Sequence, residues 1–119
     1  MSNQSYASAV RSATFVGDDN KKVPGNHGCI AILNVSAVPG VDTVQLVIEG
    51  KDPVSGAYYT VLSAAARVAT GTDVLQVQPG GPVTANVSAN ASLPDTYRIK
   101  VTHSAGSNFN YSVSVTELV

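Results

Sequence analysis

The segment from Val41 to Ala64 constrains the fold of this chain more than any other stretch. In its first half an apolar residue occupies every second position, as in a strand with one buried side: Val44, Leu46 and Ile48 alternate with Gln45, Val47 and Glu49. A loop with glycine at both ends, GKDPVSG at 50–56, then leads into a second run of strand-forming residues at Tyr58–Leu62. Because two such runs joined by breaker residues form a hairpin, the segment predicts an antiparallel β protein.

The composition agrees with an all-β fold. The chain has 119 residues, the usual size of one domain, and is rich in the strand-forming residues valine and threonine. Charged residues make up 13% of the chain, against roughly 25% in an average soluble domain. The formal net charge is −1, so nothing drives a strong attraction to nucleic acid or to an anionic membrane. We therefore expect neither a nucleic-acid nor a membrane partner.

Further alternating segments predict a single-domain β-sandwich or jelly roll of about seven or eight antiparallel strands. The last two strands, Tyr97–His103 and Phe109–Leu118, are expected to pair as a C-terminal hairpin. The run Val83–Ala89 alternates small residues and fits either a thin strand or an extended surface segment. The other predicted strands are Ala13–Val16, Cys29–Val38, the two strands of the hairpin and Val74–Val77.

The N-terminal quarter of the chain differs from the rest. Residues 1–27 are polar and irregular, and they predict an extended N-terminal arm and loop ahead of a β-sandwich domain at residues 28–119. Such an arm would pack on another surface, for example on a second chain. The first residues lack the apolar core of a secretory signal, so synthesis in a cytoplasm is expected.

Two small groups of residues could bind a metal, but neither is complete. His27 and Cys29 would lie on the same side of an extended segment, yet zinc needs three or four such ligands. The other histidine is His103, and no second cysteine exists. Asp18 and Asp19, beside Asn20, offer oxygen ligands for calcium without the spacing of a dedicated loop. We therefore expect no metal site.

The same residues do not form a recognisable catalytic group. A Cys29–His27 nucleophile pair would need an orienting third group and an oxyanion hole, and nothing in the sequence suggests either. His103 continues the apolar side of the strand that contains it, which favours a packed histidine over a catalytic base. The PGGP turn at 79–82 lacks the lysine and the helix of a phosphate loop. We therefore predict no catalytic residues, no cofactor and no enzymatic activity.

Four motifs in the chain resemble a family of small tailed-phage proteins that are encoded among head and tail genes. The shared pattern is a strand ending in Gly-Lys-Asp-Pro at 50–53, a Gly-x-Tyr-Tyr strand at 56–59, a Pro-Gly turn at 79–80 and a Leu-Pro-x-x-Tyr-Arg strand at 93–98. The resemblance covers about Cys29 to Leu118. It implies a structural virion protein and carries over no catalytic residue, because the motif residues have turn and strand roles.

Within the virion, the resemblance points first to a capsid decoration (cement) protein that binds the outer head surface. Its expected partners are the major capsid protein and further copies of this chain, as a homotrimer, because such decoration proteins commonly form trimers. Two alternatives stay open. One is a minor tail or head–tail connector protein. The other is a module that binds a host-surface glycan or protein through Tyr58 or Tyr59, one of which period-2 patterning turns to the core.

Overall fold

The chain folds as two β-sheets packed face to face. The structure, a computed structural model, describes residues 4–119, and no helix occurs among them. This confirms the predicted all-β sandwich, although residues 4–119 form ten strands instead of about seven or eight. Within the same range there is accordingly no helix of the length and apolarity needed to cross a membrane.

The ten strands of residues 4–119 form one sheet of five strands, and a second sheet of four to which one short strand is added. Sheet A has the order β1–β10–β4–β7–β8, and sheet B the order β2–β9–β5–β6, with β3 also paired to β9. Neighbours are antiparallel except for β7 and β8. The bounds are β1 Gln4–Arg11, β2 Phe15–Val16, β3 Asn20–Lys21, β4 Gly28–Ala37, β5 Val44–Lys51, β6 Tyr58–Ser63, β7 Gly71–Val77, β8 Ser88–Ala89, β9 Thr96–His103 and β10 Phe109–Leu118.

The hairpin predicted from the opening segment is confirmed as β5–β6. Asp52 closes its loop, because its backbone N–H donates to the Ala57 carbonyl at 2.8 Å. The Asp52 carboxylate accepts bonds from the Val54 N–H at 2.9 Å and the Ser55 hydroxyl at 2.8 Å, which lowers its pKa. Gly56 supplies the positive φ, 76°, that the return of the chain requires.

The predicted C-terminal hairpin is wrong. β9 lies in sheet B beside β5, whereas β10 lies in sheet A between β1 and β4. The turn between them therefore crosses from one sheet to the other. Crossing lets the apolar sides of both strands face each other across the sandwich, where Ile99 of β9 and Tyr111 of β10 are both fully buried.

The segment predicted as an N-terminal arm is extended, but its described part belongs to the sandwich. β1 pairs with β10, and both β2 and β3 pair with β9. Arg11 fixes this arrangement, because its guanidinium lies 4.8 Å from the Phe15 ring centre and 4.7 Å from that of Tyr111. The boundary expected at residue 28 thus does not separate an arm from the domain. Residues 1–3 lie outside the described range.

The run at 83–89 is neither a thin strand nor an extended surface segment, because the chain turns back between Thr84 and Ser88, whose backbone N–H donates to the Thr84 carbonyl at 2.9 Å. Its last two residues, Ser88 and Ala89, pair with β7. Val83 is 76% exposed, and the chain turns at Asn86, which has a φ of 62°. The buried core lies instead between the long strands, and its largest members are Tyr97, Tyr111, Phe109, Leu33, Leu46, Ile48, Leu75, Leu93 and Ile99.

Candidate functional site

The outer face of sheet A carries no charged side chain among the described residues. Alternation along the strands directs the charged Arg11, Asp73 and Glu117 toward the other side of the sheet. Ile32 and Val74 lie directly opposite each other on neighbouring strands and are 36% and 47% exposed. We call this surface the neutral face. It comprises Ser5, Val10, Ile30, Ile32, Asn34, Ser36, Thr72, Val74, Gln76, Ser112, Ser114 and Thr116.

The outer face of sheet B has the opposite character. Glu49 accepts a hydrogen bond from Arg98 Nε at 2.8 Å and lies 3.6 Å from Lys100 Nζ. The Arg98 guanidinium stacks on the Tyr58 ring with its Cζ 3.4 Å from the ring centre. These contacts form a charged network on the side of the molecule that faces away from the neutral face.

The network extends to Asp19, one of the candidate calcium ligands. The Tyr58 hydroxyl donates to Asp19 at 2.7 Å, and Lys51 Nζ lies 3.2 Å from the same carboxylate. These two partners hold the pKa of Asp19 below its ordinary value. Asn20 is buried and bonds to Tyr97 instead. The structure therefore separates the candidate calcium ligands, and no cluster of three or more His, Cys, Asp or Glu occurs in residues 4–119.

A shallow cleft lies where β5 and β6 meet the loop before β9. Its volume is about 250 Å³, and Tyr59, 49% exposed, forms one wall. A Cβ atom at Gly50 would lie 2.6 Å from Cζ of Tyr59 and 2.7 Å from Cγ of Pro94, so both rings close over the Gly50 backbone. The lining residues are Lys51, Pro53, Tyr59, Pro94, Asp95 and Thr96.

Tyr58 and Tyr59 thus have different roles, although neither belongs to the buried core. Period-2 patterning predicted that one ring would face the core. Tyr59 does point to the inner side of sheet B, opposite Gly50, but it lies beyond the end of the core. Tyr58 is held by Asp19 and Arg98 on the outer side, which leaves Tyr59 as the accessible aromatic ring of the pair.

A buried polar network, which sequence analysis did not identify, ties the loop after β3 to β10. The Tyr97 hydroxyl donates to Glu117 Oε2 at 2.6 Å and accepts from Asn20 Nδ2 at 2.7 Å. Glu117 Oε1 accepts from the Val23 N–H at 2.9 Å and from Asn26 Nδ2 at 3.0 Å. Burial, together with the Glu117 charge, raises the pKa of Tyr97. These bonds satisfy polar groups that burial would otherwise destabilise.

The candidate catalytic residues are not brought together. Cys29 is fully buried, and burial followed by the Glu117 charge raises the pKa of its thiol to about 12, which disfavours the reactive thiolate. His27 is exposed. His103 packs edge-on against Phe109, and its Nε2 lies 2.7 Å from the Tyr111 hydroxyl. Burial, followed by the Arg11 charge, lowers the pKa of His103.

Comparison with models of known protein families gives no match, and neither does comparison with curated protein sequences. The resemblance of the motifs at 50–59 and 93–98 to tailed-phage virion proteins therefore stays a prediction. What the fold adds is two surfaces with distinct chemistry, the neutral face of sheet A and the Tyr59 cleft of sheet B.

Proposed function

We propose that this protein is a capsid decoration protein of a tailed bacteriophage and that it binds the outer head surface through the neutral face. The observation that carries the proposal is the absence of charge from the described part of this face. The centres of protein–protein interfaces are depleted in charged residues, whereas an ordinary solvent-facing sheet carries them, as the outer face of sheet B does. The motif resemblance supports the same class of protein.

The size of the neutral face is compatible with a protein partner. β4 and β10 have ten residues each, which at roughly 3.3 Å per residue gives about 33 Å. Four strands about 4.8 Å apart span about 19 Å, so the flat area is about 600 Å². A standard interface buries about 800 Å² on each partner. The face alone therefore provides most of an ordinary interface, and loops at its margin would supply the rest.

The mechanism is mechanical rather than chemical. The protein would bind across the junction of neighbouring capsid subunits, a site that exists only in the assembled shell. Its binding free energy therefore adds to the stability of the shell. The charged network on sheet B would then face solvent. The homotrimer implied by the resemblance stays a prediction.

The test is addition of the purified protein to phage heads that lack it, with bound copies counted against the major capsid protein on quantitative gels. We expect copies across the whole shell and a rise in the temperature at which heads release DNA. The double variant Ile32→Lys and Val74→Lys should bind at least about tenfold more weakly, because each lysine must be desolvated at the interface.

The matched control is Val54→Lys, which adds the same charge at a hairpin tip where the native valine is 94% exposed. It should bind as the unaltered protein does. Equal binding by the double variant would contradict the role of the neutral face. Binding confined to a single ring at the neck would favour the head–tail connector alternative instead.

A further inference from the structure

We propose that the Tyr59 cleft is a carbohydrate-binding site that takes one uncharged sugar ring of a glycan. This inference goes beyond capsid decoration and does not depend on it, because the cleft belongs to sheet B and its loops whereas the neutral face belongs to sheet A. The assignment follows from the immobilised aromatic ring, the polar groups around it and the balance of charge in the cleft.

The Tyr59 ring is a preorganised stacking platform. The ring lies directly against the backbone of Gly50, which has no side chain. A Cβ atom at Gly50 would be only 2.6 Å from Tyr59 Cζ. Pro94 closes on the same backbone from the loop before β9, at 2.7 Å from that Cβ position. A ring held in this way loses little conformational entropy when a ligand stacks on it. An apolar ring face with polar groups at its margin complements a sugar, whose own ring has an apolar face and hydroxyls at its edge.

The polar groups of the cleft are suited to hydroxyls. The Asp95 carboxylate can accept hydrogen bonds, the Lys51 ammonium can donate them, and the Thr96 hydroxyl can do either. The Asp95 carboxylate can still accept hydrogen bonds from a ligand, because its side chain is 85% exposed and its ion pair with Lys22 is long, at 3.6 Å.

The charge of the cleft argues for a neutral ligand. Among the described residues that line the cleft, the cation is Lys51, which is paired with Asp19 at 3.2 Å, and the anion is Asp95, which is paired with Lys22 at 3.6 Å. A phosphate, sulfate or sialic acid group would therefore find no cation there that is free of a carboxylate partner, so taking its charge out of water would go uncompensated. Nucleotides and phosphosugars are disfavoured on the same ground.

The cleft accommodates a small ligand, so a single site binds weakly. Its volume of about 250 Å³ lies below the roughly 300–1,000 Å³ of pockets that enclose drug-sized molecules. If many copies sit on one particle, weak sites act together, and avidity can exceed the single-site affinity by about 100-fold or more. A decorated head would then adhere to a glycan-coated surface without a strong individual contact.

The experiment is a titration of the isolated full-length protein followed by NMR. The probes are the methyl glycosides of glucose, galactose and rhamnose, together with N-acetylglucosamine and glucose 6-phosphate, each added separately. We expect saturable shifts of the Gly50, Tyr59, Asp95 and Thr96 amides with at least one neutral sugar. Glucose 6-phosphate should bind more weakly than the methyl glucoside.

Three variants locate the site. Tyr59→Ala should weaken binding by about tenfold or more, the effect typical of truncating an aromatic stacking platform. Tyr59→Phe keeps the ring, so its affinity should stay within about threefold of the native value. Loss of binding by Tyr59→Ala but not by Tyr59→Phe would assign the effect to the ring. The control Val83→Ala truncates a side chain that is 76% exposed and does not line the cleft, and it should leave affinity unchanged.

Several outcomes would overturn the proposal. They are saturable binding by none of the neutral sugars, binding that survives Tyr59→Ala, and tighter binding of the phosphosugar. None of them affects the capsid proposal, because this titration uses no phage particles. Conversely, the double variant Ile32→Lys and Val74→Lys should bind sugar as the unaltered protein does, even if it no longer binds heads.

Discussion

Replacement of Tyr97 by phenylalanine tests whether the buried polar network stabilises the fold. The substitution keeps the ring and removes the hydroxyl, which donates to Glu117 at 2.6 Å and accepts from Asn20 at 2.7 Å. A hydrogen bond to a charged group contributes about 1.5–3 kcal/mol and a neutral one about 0.5–1.5 kcal/mol. We therefore expect the free energy of unfolding to fall by about 2–4 kcal/mol. That is a large part of the roughly 5–15 kcal/mol typical of one domain.

The assay is urea unfolding at neutral pH, with Tyr59→Phe as the control because the Tyr59 ring is half-exposed on the surface. The control should lose no more than about 0.5 kcal/mol. The denaturant dependence of the unfolding free energy should be the same in both variants, since neither changes the surface exposed on unfolding. A loss below about 1 kcal/mol for Tyr97→Phe would refute the reasoning, because it would mean that the remaining groups find other partners at little cost.

Two further predictions concern the cleft and the packed histidine. Gly50→Ala places a Cβ atom 2.6 Å from the Tyr59 ring, so it should destabilise the fold by about 1–3 kcal/mol in urea unfolding and weaken sugar binding. Gly106→Ala is its control, because a Cβ atom at Gly106 would meet nothing within 4 Å. Because the folded-state pKa of His103 is lowered, the unfolded chain binds that proton more readily. Stability should therefore fall as the pH drops below the unfolded value of about 6.5 and level off below the folded-state pKa. His103→Gln should flatten that part of the pH profile, and an unchanged profile would contradict it.

Local structure was largely predictable from the sequence, because it depends on neighbouring residues. The loop at 50–56 contains the aspartate and glycine that its hydrogen bonds require, and it forms the predicted hairpin. Alternation also identified the buried side of β4, where Ala31, Leu33 and Val35 are all within the core. β1 was missed, because a register shift between Tyr6 and Ala9 interrupts the alternation that would mark it.

The candidate surfaces were predictable only in part. Tyr59 was named from the sequence as an aromatic residue that could stack on a sugar, but Pro94 and Asp95 join it only through the folded chain. The uncharged positions of β10, such as Ser112 and Ser114, are visible in the sequence. The sheet order is what places them beside Ile32 and Val74 to form one continuous neutral face.

The sequence by itself determined that this chain is an all-β protein of the sandwich or jelly-roll type, which side of most strands is buried, and where the β5–β6 hairpin turns. Each of these depends on residues within a few positions of one another. Only the tertiary structure decided that β9 and β10 lie in opposite sheets and that the N-terminal strands complete both of them. The physical reason is that alternation specifies a buried side but not a neighbour. An apolar strand side is buried equally well by several partners, and the choice among them depends on packing of the whole core.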